Sequence, residues 1–316
     1  MRKRLAFLVM GAGMLASTAC APTVPQSLVF GSDAVPKPSP TLLTHSNLGP
    51  KPRGWIRKDA GRGSLIYVAA NNQVLIYPER GNNPAPIGSI TNGVDGAYGL
   101  FVDGRGDLYV ANQSTITAYR PGSVDPYITY ADAYRPLYIV LDHAGELYAA
   151  NQNGSISEYA PRHTSPDRVL PTHGVEADGI NVDAADNLYV AYRKRTGEGS
   201  IEEFKPHAKR GRILGMLLDQ PQALQLDRAG NILVVETGTR ESVDIFAPGT
   251  TTPSQIIRVA FGVNQIALRE SENYIYLSNF FNKDVYVSRY PPVQFRSKLH
   301  AEEQYIEGVA VSNEER

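Results

Sequence analysis

A stretch of about fourteen residues recurs along the chain, and no other feature limits its possible folds so strongly. Gly99-Leu-Phe-Val-Asp-Gly-Arg-Gly-Asp-Leu-Tyr-Val-Ala-Asn112 returns as Tyr138-Ile-Val-Leu-Asp-His-Ala-Gly-Glu-Leu-Tyr-Ala-Ala-Asn151, as Gly179-Ile-Asn-Val-Asp-Ala-Ala-Asp-Asn-Leu-Tyr-Val-Ala-Tyr192 and as Ala223-Leu-Gln-Leu-Asp-Arg-Ala-Gly-Asn-Ile-Leu-Val-Val-Glu236, with a weaker copy from Gln265 to Ser278. Each copy leads into a short apolar run and an aromatic residue just before proline: Tyr119/Pro121, Tyr159/Pro161, Phe204/Pro206, Phe246/Pro248 and Tyr290/Pro291. The period is roughly 40–45 residues, the size of a supersecondary unit that cannot bury its apolar face alone and must stack on neighbours.

The runs inside the unit are short, rich in Val, Ile, Leu and Tyr, and bounded by Gly, Pro, Asn or Asp, which predicts strands and almost no helix. The Asp-x-x-Gly-Asn/Asp element carries its own turn chemistry. Asp103, Asp142, Asp183 and Asp227 can bond back to the turn backbone, while Gly106, Gly145 and Gly230 take positive φ. Asp186 stands where the fourth unit lacks that glycine, and aspartate tolerates the left-handed region.

With the strands of one unit named a to d, Leu65-Ile-Tyr-Val-Ala-Ala-Asn71 reads as a strand b with no strand a before it, and Glu307-Gly308-Val-Ala-Val-Ser312 as a strand a with no strand b after it. The C-terminal strand is therefore expected to complete the first unit, closing a ring and removing both free sheet edges. The expected fold is all-β, a six-bladed β-propeller over residues 63–316. Units of the form Gly-Ile-x-Val-Asp-x-x-Gly-Asn-Leu-Tyr-Val-Ala-Asn followed by Tyr-x-Pro-Gly resemble NHL-type repeats over residues 61–316. That resemblance implies the fold and says little of activity, since such propellers serve as scaffolds, as binding modules and occasionally as enzymes.

The N-terminus is of another kind. Met-Arg-Lys-Arg and the apolar, small-residue stretch from Leu5 to Ala16 read as a secretory leader over residues 1–19, too short to span a bilayer as a stable helix. Cys20 is the only cysteine in 316 residues, so neither an intramolecular disulfide nor a Cys-based zinc site can form. Ser17-Thr18-Ala19-Cys20 resembles the bacterial lipobox, which implies lipidation of Cys20 and attachment to an outer membrane or cell surface. Ser17 departs from the usual leucine, and ordinary leader cleavage before Cys20 is the alternative. Residues 20–62 carry seven prolines, at 22, 25, 36, 38, 40, 50 and 52, and read as a tether; Gly54-Trp55-Ile56 is expected to pack on the folded domain. Formal charge is −1, or −4 without Arg2, Lys3 and Arg4, which argues against nucleic acid as a partner. A monomer is expected.

Strand alternation puts the d-to-a and b-to-c connections on one face of the disc, where function is expected. The residues just before each strand a rim the channel there: Tyr98, Leu137, Asp178, Gln222, Asn264 and Glu307. Their oxygen-bearing side chains are of the kind that hold hard cations such as calcium. The rim is similar to that of gluconolactonase and regucalcin-like propellers, and this implies a divalent-metal set of Asp178, Asn264 and Glu307 serving a lactonase-like hydrolase, with Asp178 and Glu307 as candidate catalytic residues. The other reading is a polar rim that solvates the channel mouth. Arg193, Lys194 and Arg195, in the loop of residues 193–199, and the pair Phe280-Phe281 share that face. With Tyr98 and Gln222 they could form a patch for a protein partner or small ligand, or, for the basic residues, a solvated loop. Nucleophile-elbow, zincin and phosphate-loop signatures are absent, and the six histidines lack ligand spacing. A non-enzymatic binding or scaffolding module is thus the first reading and a metal-dependent hydrolase the second.

Overall fold

The computed structural model describes residues 54–57, 63–269, 271, 273–291, 293–301 and 305–312. The leader, Cys20 and most of the proposed tether lie outside the described residues. Among the described residues there is no helix, and the strands form six antiparallel sheets arranged as a six-bladed β-propeller.

Each blade is a meander whose first strand lies innermost. Blade 3 has the order Pro136–Leu141, Leu147–Asn151, Ser155–Tyr159, Arg168–Pro171, and blades 2, 5 and 6 follow the same four-stranded plan. Blade 1 is completed from the far end of the chain: Val309–Val311 pairs with Leu65–Ala70, aligning Ile66 with Val311, Tyr67 with Ala310 and Val68 with Val309. Ser312 Oγ also accepts from the Leu65 amide at 2.8 Å. The pairing covers the inner edge of Leu65–Ala70, so blade 1 acquires the innermost strand that the other blades take from their own repeat.

Blade 1 also gains a fifth, outer strand, where Trp55–Ile56 pairs with Gly88–Ile90. Blade 4 differs at its periphery, since Arg212–Ile213 and Leu218–Asp219 pair with the same strand, Glu198–Phe204, at two separate places.

The turn chemistry read from the sequence is present in each expected unit. Asp103 Oδ1 accepts from the Arg105 and Asp107 amides, and Asp142, Asp183 and Asp227 accept from the amides of Glu146, Asn187 and Asn231. Gly106, Gly145 and Gly230 lie at φ +86°, +83° and +79°, with Asp186 at +59°. The aromatic residues before proline wedge between blades: Tyr119, Tyr159, Phe204, Phe246 and Tyr290 are all buried, as is Tyr77 in blade 1. Burying such a ring contributes about 1.5–3 kcal/mol, so the repeated aromatic is a main source of blade-to-blade adhesion.

Inner strands approach closely because glycine occupies the first axial position in three blades. A Cβ on Gly179 would fall 2.5 Å from the Leu224 amide nitrogen, and one on Gly308 would lie 2.6 Å from Gln265 Oε1. A chain ending at residue 307 should lose its cooperative thermal transition, and Gly308→Val in the full chain should cost about 3 kcal/mol or more in urea denaturation. An unchanged melt for the truncated chain would show that the ring does not depend on its closing strand.

Candidate functional site: the channel mouth

Every rim residue is a bulge residue. In blades 4, 5 and 6 the pairing slips between Ala177 and Gly179, Pro221 and Ala223, and Val263 and Gln265, leaving Asp178, Gln222 and Asn264 as the extra residues. Blades 1 and 2 show the same two-against-one pattern in their hydrogen bonds. Glu307 N donates to the Ala69 carbonyl while Ala69 N donates to the Gly308 carbonyl, and Tyr98, Ala111 and Gly99 repeat this. Bulges re-aim side chains, and here they gather rim side chains over one opening.

Asn264 Nδ2 donates to Glu307 Oε2 at 2.6 Å, so two of the three residues in the expected metal set touch directly. The third is held elsewhere. Arg193 pairs with Glu176 and places Nε 3.4 Å from Asp178 Oδ2. Asp178 is 2% exposed, and its Oδ2 makes no hydrogen bond. Burial pushes its carboxyl well above the usual range, Glu176 adds to this, and Arg193 opposes it. Burial likewise raises Glu307 to about 8, against the hydrogen bond from Asn264 and the charge of Arg135. Tyr98 is raised by burial and by the nearby charges of Glu307, Asp178 and Glu176, which places all four in one electrostatic neighbourhood. Among the described residues no three His, Cys, Asp or Glu side chains form a group that could hold a metal ion.

Sequence reasoning missed what closes the channel. Leu137, expected on the rim, is buried, and the next residue, Tyr138, enters the channel instead. Its hydroxyl donates to the Asn264 carbonyl at 2.8 Å, bridging blade 3 to the opposite blade 6, and its ring meets Tyr98 edge-on with centroids 5.9 Å apart. Gln265 is a second brace: Oε1 accepts from the Leu100 and Val309 amides at 3.2 and 3.0 Å, and Nε2 donates to the Leu100 carbonyl at 2.8 Å. Together they tie the inner strands of blades 1, 2, 3 and 6. Below them the channel keeps a cavity of about 100 Å³ lined in part by Phe101, Asn181 and Gln225. The available signal was size: Tyr138 and Gln265 are the two large residues at an axial position otherwise held by Gly99, Gly179, Gly308 and Ala223.

Arg193, read as part of the basic loop, is the last residue of strand Leu188–Arg193 and pairs with Glu176 beside Asp178, whereas Lys194 and Arg195 are exposed in the turn beyond it. Phe280 and Phe281 are half-buried in an aromatic row. Phe261 stacks on Phe281, Phe281 meets Phe280 edge-on, and Phe280 stacks on Tyr305, with centroids 4.9, 4.9 and 4.7 Å apart. Gly262, at φ +90°, makes room for the Phe281 ring, because a Cβ there would collide with it. The row is tied by short chain segments to the Asn264–Glu307 pair. Gln222 is half-buried on the rim.

No protein-family model matches this chain, and no curated protein matches it in sequence. Solved structures do. A chain in the crystal structure of a nidogen/laminin complex superposes with a TM-score of 0.67 at 18% identity, covering 79% of this chain and 98% of that one. Hydrazine synthase from Kuenenia stuttgartiensis gives 0.55 at 12% identity, covering 69% and 70%. The β-propeller domain of Cps50 (Swd1) from Myceliophteria thermophila gives 0.53 at 14% identity, covering 82% and 89%. At these identities the likeness shows the propeller fold and nothing finer.

The raised carboxyl of Glu307 predicts a pH dependence. The unfolded group titrates near 4.5 and the folded group near 8, so between those values the native state keeps a proton that the unfolded state has lost. Stability should fall as pH rises through that window and level off above it. Glu307→Gln keeps an acceptor for Asn264 without the ionisation. It should stabilise the protein at pH 8 by about 2 kcal/mol or more and reduce the slope, as read by urea denaturation from pH 5 to 9. Asp178 and Glu236, the latter raised to about 7 by burial, leave a residual slope of the same sign. A variant with the parent's profile would remove Glu307 as a titrating group.

Proposed function

We infer that this protein is an NHL-like propeller lipoprotein, lipid-anchored through Cys20 at a bacterial outer membrane or cell surface, which uses the mouth face to bind a partner protein or small ligand. The convergence of two features on one face carries this reading. Five bulge residues, Tyr98, Asp178, Gln222, Asn264 and Glu307, stand at one opening, and beside it lies a row of four half-buried aromatic rings. Rigid aromatic anchors beside polar groups are the composition of binding hot spots. The structural similarity to a chain crystallised in a nidogen/laminin complex supports a protein-binding use of the fold.

Two measurements test the reading separately. Metabolic palmitate labelling should mark the wild-type chain and miss Cys20→Ser; equal labelling of both would sink the anchor. Partner capture from the native envelope by in vivo crosslinking should weaken at least tenfold in the double variant Phe280→Ala, Phe281→Ala, with the melt of the purified protein preserved. Undiminished capture would move the interface off this face.

A second reading has one observation in its favour. The buried Asp178 Oδ2 lacks a hydrogen bond, and with Asn264 and Glu307 it could contribute oxygen ligands to a divalent cation such as calcium, which would supply Lewis-acid activation of a lactone or ester. Weighing against it, Arg193 already supplies positive charge at Asp178, and Asn264 turns its amide nitrogen toward Glu307. Elemental analysis of the purified full chain separates the two. A stoichiometric divalent ion lost in Asp178→Asn would favour the hydrolase, and none would favour the binding module.

A further inference from the structure

A cavity of about 650 Å³ opens between blades 4 and 5 on the face opposite the mouth, well inside the roughly 300–1,000 Å³ range of small-molecule sites. The repeat alone does not produce it. The outer strand of blade 4 breaks: Arg212 and Ile213 pair with Glu203 and Glu202, Leu218 and Asp219 pair with Gly199 and Glu198, and the three residues between Leu214 and Leu218 bulge opposite Ser200. Gly215, at φ +83°, makes the bend. As a result Met216 turns inward, 3% exposed, while Leu217 is 92% exposed. The bend lines the cavity with Leu214 and Met216, and the blades themselves add Val182, Leu226 and Ile232. An unbranched thioether in such a wall adapts to ligand shape.

The polar rim has unspent donors and spent acceptors. Asp183 accepts from the Ala185 and Asn187 amides and from Asn187 Nδ2, and Asp227 accepts from the Asn231 amide, from Asn231 Nδ2 and from the Tyr290 hydroxyl at 2.6 Å. Both acids are committed to their turns. The Thr250 hydroxyl donates to the Ala247 carbonyl. Arg212 is 70% exposed and directs only Nε and Nη2 at Glu203. That single carboxylate also receives Lys205 Nζ at 2.7 Å, so two cations share one anion. A guanidinium offers five N–H donors in a planar fork suited to a carboxylate.

The geometry points to a binding site for a small amphipathic carboxylate, its alkyl or aryl body against Leu214, Met216, Leu226 and Ile232 and its head taken by Arg212 at the rim. The apolar wall explains the body, and the donor surplus explains the head. The rim acids are held by their own hydrogen bonds, and Arg212, the more exposed charge, is the group placed to take a head. This site is separate from the mouth and does not depend on its reading.

Isothermal titration calorimetry of the full chain with sodium decanoate, below its micellar range, tests the assignment, with decyltrimethylammonium as the matched cationic probe. Decanoate should saturate one site and raise the melting temperature, whereas decyltrimethylammonium should not bind. Arg212→Ala should weaken decanoate about tenfold, and Arg212→Lys should restore part of the loss. Ala229→Trp fills the cavity from an exposed turn position, so it should fold normally and abolish binding. The assignment is overturned if decanoate shows no saturable site, if both heads bind equally, or if a folded Ala229→Trp protein binds as the parent does.

Discussion

Three residue pairs, Ile66 with Val311, Tyr67 with Ala310 and Val68 with Val309, hold the ring shut, and everything described above depends on them. They join segments about 240 residues apart, so their closure entropy is met only when all six blades stand in place. The same pairing brings Gly308 against the Tyr98 carbonyl and Gln265, and it delivers Glu307 to the mouth beside Asn264. Closure and site formation are one event: an open array would have neither a rim nor an inside.

The sequence was informative wherever a residue type answers to its own backbone. Turn aspartates, left-handed glycines and aromatic residues before proline are local requirements, and each lies where the repeat put it. The shared blade was legible too, because an unpaired strand at each end of the chain has one economical solution. Interactions across the channel were not. The Tyr138 hydroxyl reaches a carbonyl 126 residues away, and Gln265 braces an amide 165 residues away. No local pattern encodes those distances. The bulges at the positions before each inner strand, the burial of Leu137 among them, and the strand-end Arg193 beside Asp178 depend on pairing register. The broken outer strand of blade 4 left only Gly215 as a trace.

The two faces of the disc solve opposite problems. At the mouth, acids are buried with too little positive charge, so part of the folding free energy is held against their ionisation. On the far side, acids are consumed by turns, and what remains open is apolar surface with arginine at its edge. Both faces stand on one repeated scaffold, and likeness in fold at 12–18% identity carries none of this chemistry.

The short strand Trp55–Ile56 on the rim of blade 1 has a geometric corollary. It sets Trp55 and Ile56 at the circumference of the disc, as the outermost strand of blade 1. The roughly 34 residues from Cys20 to Gly54 span at most about 120 Å when fully extended. An acyl group at Cys20, as proposed above, would be joined to the disc at its perimeter through a segment of that reach. Both flat sides would stay open to the surrounding fluid, so a macromolecule on one and a small solute on the other need never compete for space.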